Sequence, residues 1–188
     1  MKTSKKRILI LDTSAFIAGF NPLSFSDVQY SVPLVGRELS LDTMPSMRFN
    51  TALKESRLRV KAPDDLYMVE VGKASGTLGD MLLSQADQQV LALALELRDI
   101  GFNPQIVTDD YSIQNVADLL GLEFTSLMTY GIRYRLYWIR YCPACRRKFQ
   151  STCQDKRCEI CGTELKRRPV EKKRIGKQGK RKAGSIFR

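Results

Sequence analysis

Residues 8–16 read ILILDTSAF, an aliphatic run that ends abruptly on a charge. Four aliphatic residues in succession, 8–11, predict a strand that is covered on both faces, as in a parallel sheet between helices. Apolar periodicity predicts further strands and helices in alternation, which indicates an α/β fold with crossover helices. The later strands are predicted at 58–60, 105–108 and 123–125, and the helices at 87–100, at 111–120 and, in a short form, from Pro33.

Composition restricts the class of protein. The chain has 188 residues, 43% of them apolar, which is enough for one well-buried domain and a smaller appendage. No run approaches the roughly 20 apolar residues that span a bilayer, so we expect a soluble, cytoplasmic protein without membrane association. Histidine is absent, which removes the usual general base near neutral pH. Hydrolytic chemistry here must therefore use carboxylates, and this favours a metal.

The net charge of +11 is unevenly distributed. Residues 1–132 contain 12 Lys and Arg against 16 Asp and Glu, whereas residues 133–165 contain 8 against 3 and residues 166–188 contain 11 against 1. An acidic front and a strongly basic rear indicate that the rear binds a polyanion, while the front performs a task that needs negative charge.

These patterns predict four parts of the chain. Residues 1–7 form a basic N-terminal extension, 8–128 the α/β domain, and 129–165 a small cysteine-containing unit with its lead-in strand. Residues 166–188 have few apolar side chains, so we expect a basic disordered tail. The Gly-rich segment 72–80 is predicted to be a flexible connection.

Four cysteines have the spacing C-x2-C-x12-C-x2-C: Cys142, Cys145, Cys158 and Cys161. Two such pairs can supply four thiolates for one tetrahedral zinc ion, and four ligands leave no open position, so the zinc is expected to be structural. A redox CxxC or two disulfides are the alternatives, and both are disfavoured in a cytosolic chain. Cys153 lies between the pairs and is taken as a bystander. Basic residues within this zinc ribbon favour contact with a phosphate backbone, namely Arg146, Arg147 and Lys148.

Acidic residues follow or flank the predicted strands. Asp12 follows the first strand, Asp109 and Asp110 follow a later one, and Asp87 and Glu38 lie on helices. Ligands of an open parallel sheet bind beyond the carboxyl ends of its strands, where these acids would meet.

Each acid also has a purely structural interpretation. Asp12 and Asp109 could cap helices, Ser84 and Asp87 have the spacing of a capping box, and Glu38 could be a solvated surface residue. Carboxylates brought close together repel one another unless a proton or a cation lies among them. A divalent ion of the Mg²⁺ or Mn²⁺ type, which prefers oxygen ligands, is therefore predicted at this edge.

The segments LDTSAFI, SVPLVGREL, LSQADQQVLALALEL and VTDDYSIQNVADLLGL together resemble a PIN-domain nuclease. With the zinc ribbon directly behind, residues 8–165 resemble the Nin-one-binding endonucleases of ribosome biogenesis, in the short form expected of archaea. The most specific part of the resemblance is DDYSIQNVA followed by the four cysteines. A PIN-like parallel sheet flanked by helices is the fold that it implies.

The resemblance implies a metal-dependent endoribonuclease that uses one or two Mn²⁺ or Mg²⁺ ions and trims the 3′ end of small-subunit precursor rRNA in the pre-ribosomal particle. By position, the acidic set would be Asp12, Glu38, Asp87 and Asp110, with Asp109 as the alternative to Asp110. Hydrogen-bonding support would come from Ser14, Thr108 and Asn115.

Residues 131–141 alternate Arg or Tyr with apolar residues, which predicts a strand with one basic and aromatic face. We expect RNA to be bound by Arg133, Arg135 and Arg140 together with the ribbon residues Arg146, Arg147 and Lys148. The aromatic residues could stack on unpaired bases or pack the ribbon onto the front domain. The main rival hypothesis is a noncatalytic RNA-binding ribosome assembly factor, which would bind RNA through the ribbon without responding to Mn²⁺ and would cleave nothing. A toxin-type PIN ribonuclease and a zinc-ribbon transcription factor are further rivals.

Overall fold

The computed structural model describes residues 5–78, 83–128, 134–149 and 156–174. Within them, a five-stranded parallel sheet has the strand order β3-β2-β1-β4-β5. Its strands are β1 (Arg7–Leu11), β2 (Val28–Ser31), β3 (Leu58–Val60), β4 (Asn103–Val107) and β5 (Glu123–Thr125). The helices are α1 (Thr13–Ile17), α2 (Pro33–Glu38), α3 (Met44–Lys54), α4 (Asp65–Thr77), α5 (Gln85–Asp99) and α6 (Tyr111–Leu119), with a 3-10 helix at Pro22–Ser24. The expected class, a parallel sheet flanked by helices, is confirmed.

The centre of the sheet is the most deeply buried part of the core. Residues 8–11 of β1 are fully buried between β2 and β4, as their continuous aliphatic run predicts. Eight of the 15 residues of α5 are buried, because this helix contacts both the sheet and the helices beside it. Truncating one of its buried leucines to alanine would cost about 2–5 kcal/mol. The core therefore fixes the carboxyl ends of β1 and β4 at one edge.

Three expectations about the α/β domain need correction. The segment 72–80 is not a flexible connection as far as it is described, because residues up to Thr77 belong to α4. The fully buried side chains of Val71 and Leu78 hold that helix to the core, which overrides the weak helix propensity of its glycines. The strand β2 was not foreseen, since it is short and carries the buried polar residue Gln29. The N-terminal extension ends earlier than residue 7, because Arg7 begins β1 and forms an ion pair with Asp27.

A second, antiparallel sheet follows, with the strand order β7-β6-β8. Its strands are β6 (Tyr134–Tyr141), β7 (Lys148–Phe149) and β8 (Lys166–Arg174). The predicted strand at 131–141 is confirmed from residue 134 onward, and residues 131–133 lie outside the described ranges.

The boundary of the basic tail is also corrected. Residues 166–174 were expected to be disordered, but they form β8 and pair with β6 along its whole length. Strand pairing uses backbone groups and does not need apolar side chains, so a charged segment can add an edge strand. Arg167 lies over the ring of Trp138 at 5.4 Å, and Arg168 lies over Tyr141 at 5.1 Å. Residues 175–188 lie outside the described part of the chain.

The second sheet is attached to the α/β domain. The N–H of Trp138 donates to the carbonyl oxygen of Leu78 at 3.0 Å, at the point where the register between β6 and β8 shifts. The ring of Tyr137 packs against the core of the α/β domain. One of the predicted aromatic residues thus packs the two units together. Among the described residues, no helix is long and apolar enough to cross a membrane.

Candidate active site

Asp12 is the most buried acid at the carboxyl edge of the sheet. It follows β1 and caps α1, and its Oδ2 accepts hydrogen bonds from Ser14 Oγ at 2.6 Å, Thr108 Oγ1 at 2.8 Å and Ser14 N at 3.3 Å. Burial raises the pKa of the Asp12 carboxyl above its usual range, and the hydrogen bonds from Ser14 and Thr108 partly oppose that shift. All three bonds reach Oδ2, so the carboxylate is held in one orientation. The other oxygen, Oδ1, takes part in none of the three bonds.

The hydroxyls of Ser14 and Thr108 also fix the chain that follows β4. Each hydroxyl donates its proton to Asp12 and accepts a backbone N–H, from Asp109 to Ser14 Oγ and from Asp110 to Thr108 Oγ1, both at 3.0 Å. The supporting role expected of Ser14 and Thr108 therefore has a geometric basis. One pair of hydroxyls sets the position of two acidic segments that are far apart in sequence.

Asp87 belongs to the same edge. It forms the predicted capping box with Ser84, in which Ser84 N donates to Asp87 Oδ2 at 2.8 Å and Asp87 N donates to Ser84 Oγ at 3.1 Å. Burial raises the pKa of Asp87 to about 6, and the negative charges of Asp12 and Asp110 contribute to the rise. Asp87 thus caps its helix and also lies close enough to Asp12 and Asp110 for their charges to act on its carboxyl.

Glu38, at the end of α2, is drawn to this edge by two hydroxyls. Its Oε2 accepts from Thr13 Oγ1 at 2.6 Å and its Oε1 from Ser84 Oγ at 3.5 Å. Thr13 follows Asp12 directly, and Ser84 caps the helix that carries Asp87, so Glu38 bridges the other two acidic segments. Glu38 is exposed to solvent, as its structural interpretation supposes, but it also has these two hydrogen-bond partners.

The two adjacent aspartates after β4 have different surroundings. Asp110 caps α6 and accepts from Ser112 N at 2.6 Å, so the cap expected at Asp109 lies one residue later. The Asp109 carboxylate accepts from the backbone N–H of Leu127 at 3.1 Å and from that of Met128 at 3.1 and 3.2 Å. It therefore fixes the connector after β5, and Asp110 is the residue that joins the acidic set.

The supporting role expected of Asn115 stays a prediction. Asn115 is buried in α6, and its Oδ1 has no hydrogen-bond partner in the described part of the chain. None of the hydrogen bonds described above for the acids involves Asn115.

The acids fit a divalent cation in charge and in ligand type. Carboxylate oxygens are the ligands of Mg²⁺ and Mn²⁺. Burial is the main cause of the raised pKa of Asp87, and the charges of Asp12 and Asp110 add a repulsion that a cation would relieve. Among the described residues, however, the four cysteines are the one group of three or more possible ligands with all ligand atoms within 4.8 Å of one another. The acids are spread more widely, which suits an ion held directly by one or two carboxylates and otherwise by water.

The four predicted ligand cysteines meet at one point. The Sγ atoms of Cys142 and Cys161 are 3.3 Å apart and those of Cys145 and Cys158 are 3.6 Å apart, with all four within 4.8 Å. Tetrahedral Zn–S bonds of about 2.3 Å would place the sulfurs about 3.8 Å apart, whereas a disulfide needs about 2.05 Å. All four thiols are free, so the cluster can bind a metal ion and the disulfide alternative is wrong. Cys153 lies outside the described residues.

Both cysteine pairs form the same backbone turn. The N–H of Cys142 and of Cys158 donates to the carbonyl five residues later, and the carbonyl of each accepts from the N–H four residues later. The residues that donate this second bond are Arg146 and Gly162, and both have left-handed backbones, with φ of 59° and 69°. Glycine adopts this conformation freely, whereas for arginine it costs about 1–2 kcal/mol. Gly162 therefore forms its turn without this cost.

The basic residues expected to bind RNA are only partly described. Arg140 is half-buried, and Arg146, Arg147 and Lys148 are exposed beside the cysteine cluster. Arg133 lies outside the described residues, and Arg135 is described only as part of the backbone of β6. Sequence reasoning missed the exposed pair of arginines on β8, 167 and 168, because it assigned that segment to a disordered tail.

Comparison with known proteins agrees with this geometry. Residues 9–97 match the family model described as the PIN domain of ribonuclease, a range that contains Asp12, Glu38 and Asp87. The chain is 38% identical over 160 residues to endoribonuclease Nob1 of Methanothermobacter thermautotrophicus, covering 85% of this chain and 91% of that protein. It is 34% identical over 176 residues to endoribonuclease Nob1 of Methanocaldococcus jannaschii, covering 94% and 84%. It is also 36% identical over 161 residues to ribonuclease VapC1 of Thermoplasma acidophilum, covering 85% and 77%.

A PIN match over residues 9–97, a parallel sheet with acids at its carboxyl edge and a four-cysteine site behind it together define a PIN-domain ribonuclease with a C-terminal cysteine ribbon. The two Nob1 relatives match over most of this chain and over most of their own length, and they identify the family within the PIN-domain ribonucleases. The chain belongs to the Nob1 endoribonuclease family.

Proposed function

We propose that this protein is a metal-dependent endoribonuclease that processes the 3′ end of small-subunit precursor rRNA within the pre-ribosomal particle in the cytoplasm. The observation that carries the proposal is the hydrogen-bond network that gathers the acids at one edge of the sheet. Ser14 and Thr108 link Asp12 to the chain at Asp109 and Asp110. Glu38 links the segment of Asp12 to the helix that carries Asp87. Carboxylates gathered in this way need a shared cation, and a phosphodiester needs the same cation for hydrolysis. Membership of a family named for endoribonucleases supports RNA as the substrate.

Asp12, Asp87 and Asp110 hold one or two Mn²⁺ or Mg²⁺ ions, with Glu38 beside them. When bound, such an ion supplies an acidified water and screens the phosphodiester charge. Asp12 presents Oδ1 to the site, because Ser14 and Thr108 hold the orientation of its carboxylate through Oδ2.

The second metal site has a different task. We infer that the four cysteines hold one structural Zn²⁺, since four thiolates close the coordination sphere and leave no position for substrate. The Thr163 hydroxyl lowers the pKa of Cys161 to about 6, which favours a thiolate there. The ion keeps the exposed Arg146, Arg147 and Lys148 on a rigid turn, where they contact RNA phosphates.

A cleavage assay tests the catalytic proposal. RNA spanning the mature 3′ end of the small-subunit rRNA is incubated with the protein, with and without Mn²⁺, and the product ends are mapped. We expect cleavage only with the ion, at one position, leaving 5′-phosphate and 3′-hydroxyl ends. Asp12→Asn should abolish cleavage and keep RNA affinity, whereas Asp27→Asn, an acid paired with Arg7 at the start of β1, should keep both.

The same assay distinguishes the proposed endoribonuclease from the rival hypothesis of a noncatalytic assembly factor. A noncatalytic assembly factor would bind RNA through the ribbon regardless of Mn²⁺, and the wild type would release no product. Cleavage by Asp12→Asn at the wild-type rate would show that the acidic edge is not the reaction centre. Metal analysis of the purified protein, with one zinc ion per chain as the expected result, tests the ribbon separately.

A further inference from the structure

Helix α6 is almost wholly enclosed, and Tyr111 is the exception. The five residues 113–117 are buried and the residues after them are half-buried, whereas the first residue of the helix, Tyr111, is 53% exposed. The Tyr111 hydroxyl makes no hydrogen bond to the described part of the chain. A large aromatic ring in this position contributes little to packing, so its presence there needs another explanation.

Tyr111 is the first residue of α6, next to the acid that caps this helix. Tyr111 directly follows Asp110, whose charge acts on Asp87. The Cα–Cβ bond of a helical residue tilts toward the N-terminus of its helix, so the ring leans toward the acids. The backbone on both sides is fixed, because Asp110 N donates to Thr108 Oγ1 at 3.0 Å and Ser112 N donates to Asp110 Oδ1 at 2.6 Å. The ring is therefore presented from a rigid support.

An exposed aromatic ring beside phosphodiester chemistry suits a nucleobase. The α/β domain has a net negative charge and repels RNA phosphates, and a ring attracts a base without adding charge to the acidic edge. Only an unpaired base has a free face, because the bases of a duplex are stacked on their neighbours.

We propose that Tyr111 stacks on an unpaired nucleobase next to the scissile phosphate and so selects single-stranded RNA at the cleavage position. This inference rests on the proposed ribonuclease function, and it adds a specificity-determining residue to the acidic set.

Three variants at one position test the stacking. Tyr111→Phe keeps the ring, Tyr111→Leu keeps an apolar side chain without a π face, and Tyr111→Ala removes both. We expect Tyr111→Phe to retain kcat/KM on single-stranded RNA and the other two to lose about 5- to 150-fold, the range measured for one base stack. The preference for single-stranded over duplex RNA should fall by the same factor.

Ile100→Ala is the matched control. Ile100 is 63% exposed and caps the C-terminal end of α5, the helix whose first turn carries Asp87. It lies about 20 Å along that helix from Asp87, and its substitution should change neither activity nor the preference for single-stranded RNA. Thermal unfolding and Mn²⁺ affinity should be equal for all four variants, because the exposed ring supports neither the core nor the ion.

A binding measurement keeps the two proposals distinguishable. RNA oligonucleotides with 2-aminopurine at successive positions are titrated into the wild type with Ca²⁺ in place of Mn²⁺, and stacking quenches the fluorescence at one position. Quenching that persists in Tyr111→Ala, or Tyr111→Leu as active as Tyr111→Phe, would overturn the stacking proposal. Absence of cleavage by the wild type, with quenching that depends on Tyr111, would overturn the ribonuclease function and leave the stacking intact.

Discussion

Replacing Asp87 by asparagine tests the coupling of the acids quantitatively. The pKa of Asp87 rises from 3.8 to about 6, and one pKa unit corresponds to about 1.36 kcal/mol, which gives about 3 kcal/mol before screening. Because the carboxyl is partly exposed to solvent, we reduce this figure to about 1–2 kcal/mol. Asparagine is uncharged and its Oδ1 can still accept from Ser84 N, so the capping box remains.

The direction of the effect follows from the raised pKa. The folded protein binds this proton more tightly than the unfolded chain, so the metal-free protein loses free energy of unfolding as the pH rises from about 3.8 to about 6. Above pH 6 the loss is complete, and Asp87→Asn should there be more stable than the wild type by about 1–2 kcal/mol. At about 2–4 °C per kcal/mol for a chain of this size, its Tm should rise by several degrees.

Thermal unfolding at a series of pH values, with and without Mn²⁺, measures both effects. Mn²⁺ should stabilise the wild type above pH 6 and should stabilise Asp87→Asn far less, because the variant has lost one charge of the site. Asp65→Asn, which alters an exposed acid in the first turn of α4, is the control and should follow the wild-type pH profile. If Asp87→Asn and the wild type show the same pH profile and the same response to Mn²⁺, the electrostatic argument fails.

Three further predictions concern the ribbon and Asp109, the first of the two aspartates after β4. Arg146→Gly should retain zinc against a chelator more strongly than Arg146→Ala, by about 1 kcal/mol, because only glycine relieves the left-handed backbone; equal retention would contradict the strain. Asp109→Ala should lower the free energy of unfolding by about 1–3 kcal/mol, since two backbone N–H groups lose their acceptor, yet it should keep the Mn²⁺-dependent cleavage that Asp110→Asn loses. Loss of cleavage in Asp109→Ala alone would reverse that assignment. Cys158→Ser should release the zinc and weaken RNA binding in a filter assay, and an unchanged affinity would remove the ribbon from the RNA interface.

Local patterns in the sequence were sufficient for the parts of the molecule that depend on neighbouring residues. The aliphatic run before Asp12 predicts β1, the spacing of Ser84 and Asp87 predicts a capping box, and the cysteine spacing predicts a single metal site. Each of these is set by contacts within one turn or one strand. For that reason they could be inferred before the fold was known.

Features that depend on tertiary contacts could not be obtained in this way. The bond between Thr13 and Glu38 joins two helices, and nothing in either segment specifies the other. Asp109 and Asp110 have identical side chains in adjacent positions. They differ in their partners, because Asp109 binds the connector after β5 and Asp110 caps α6. The strand β8 was missed because its composition suits disorder, whereas its order comes from pairing with β6.

Besides the packing of Tyr137, the ribbon is attached to the α/β domain by a hydrogen bond between main-chain atoms. The donor is the N–H of residue 138 and the acceptor is the carbonyl of residue 78, so neither side chain specifies the bond. Most substitutions at these two positions in related proteins would therefore leave this hydrogen bond in place. Proline at position 138 is the exception, because it alone has no N–H to donate.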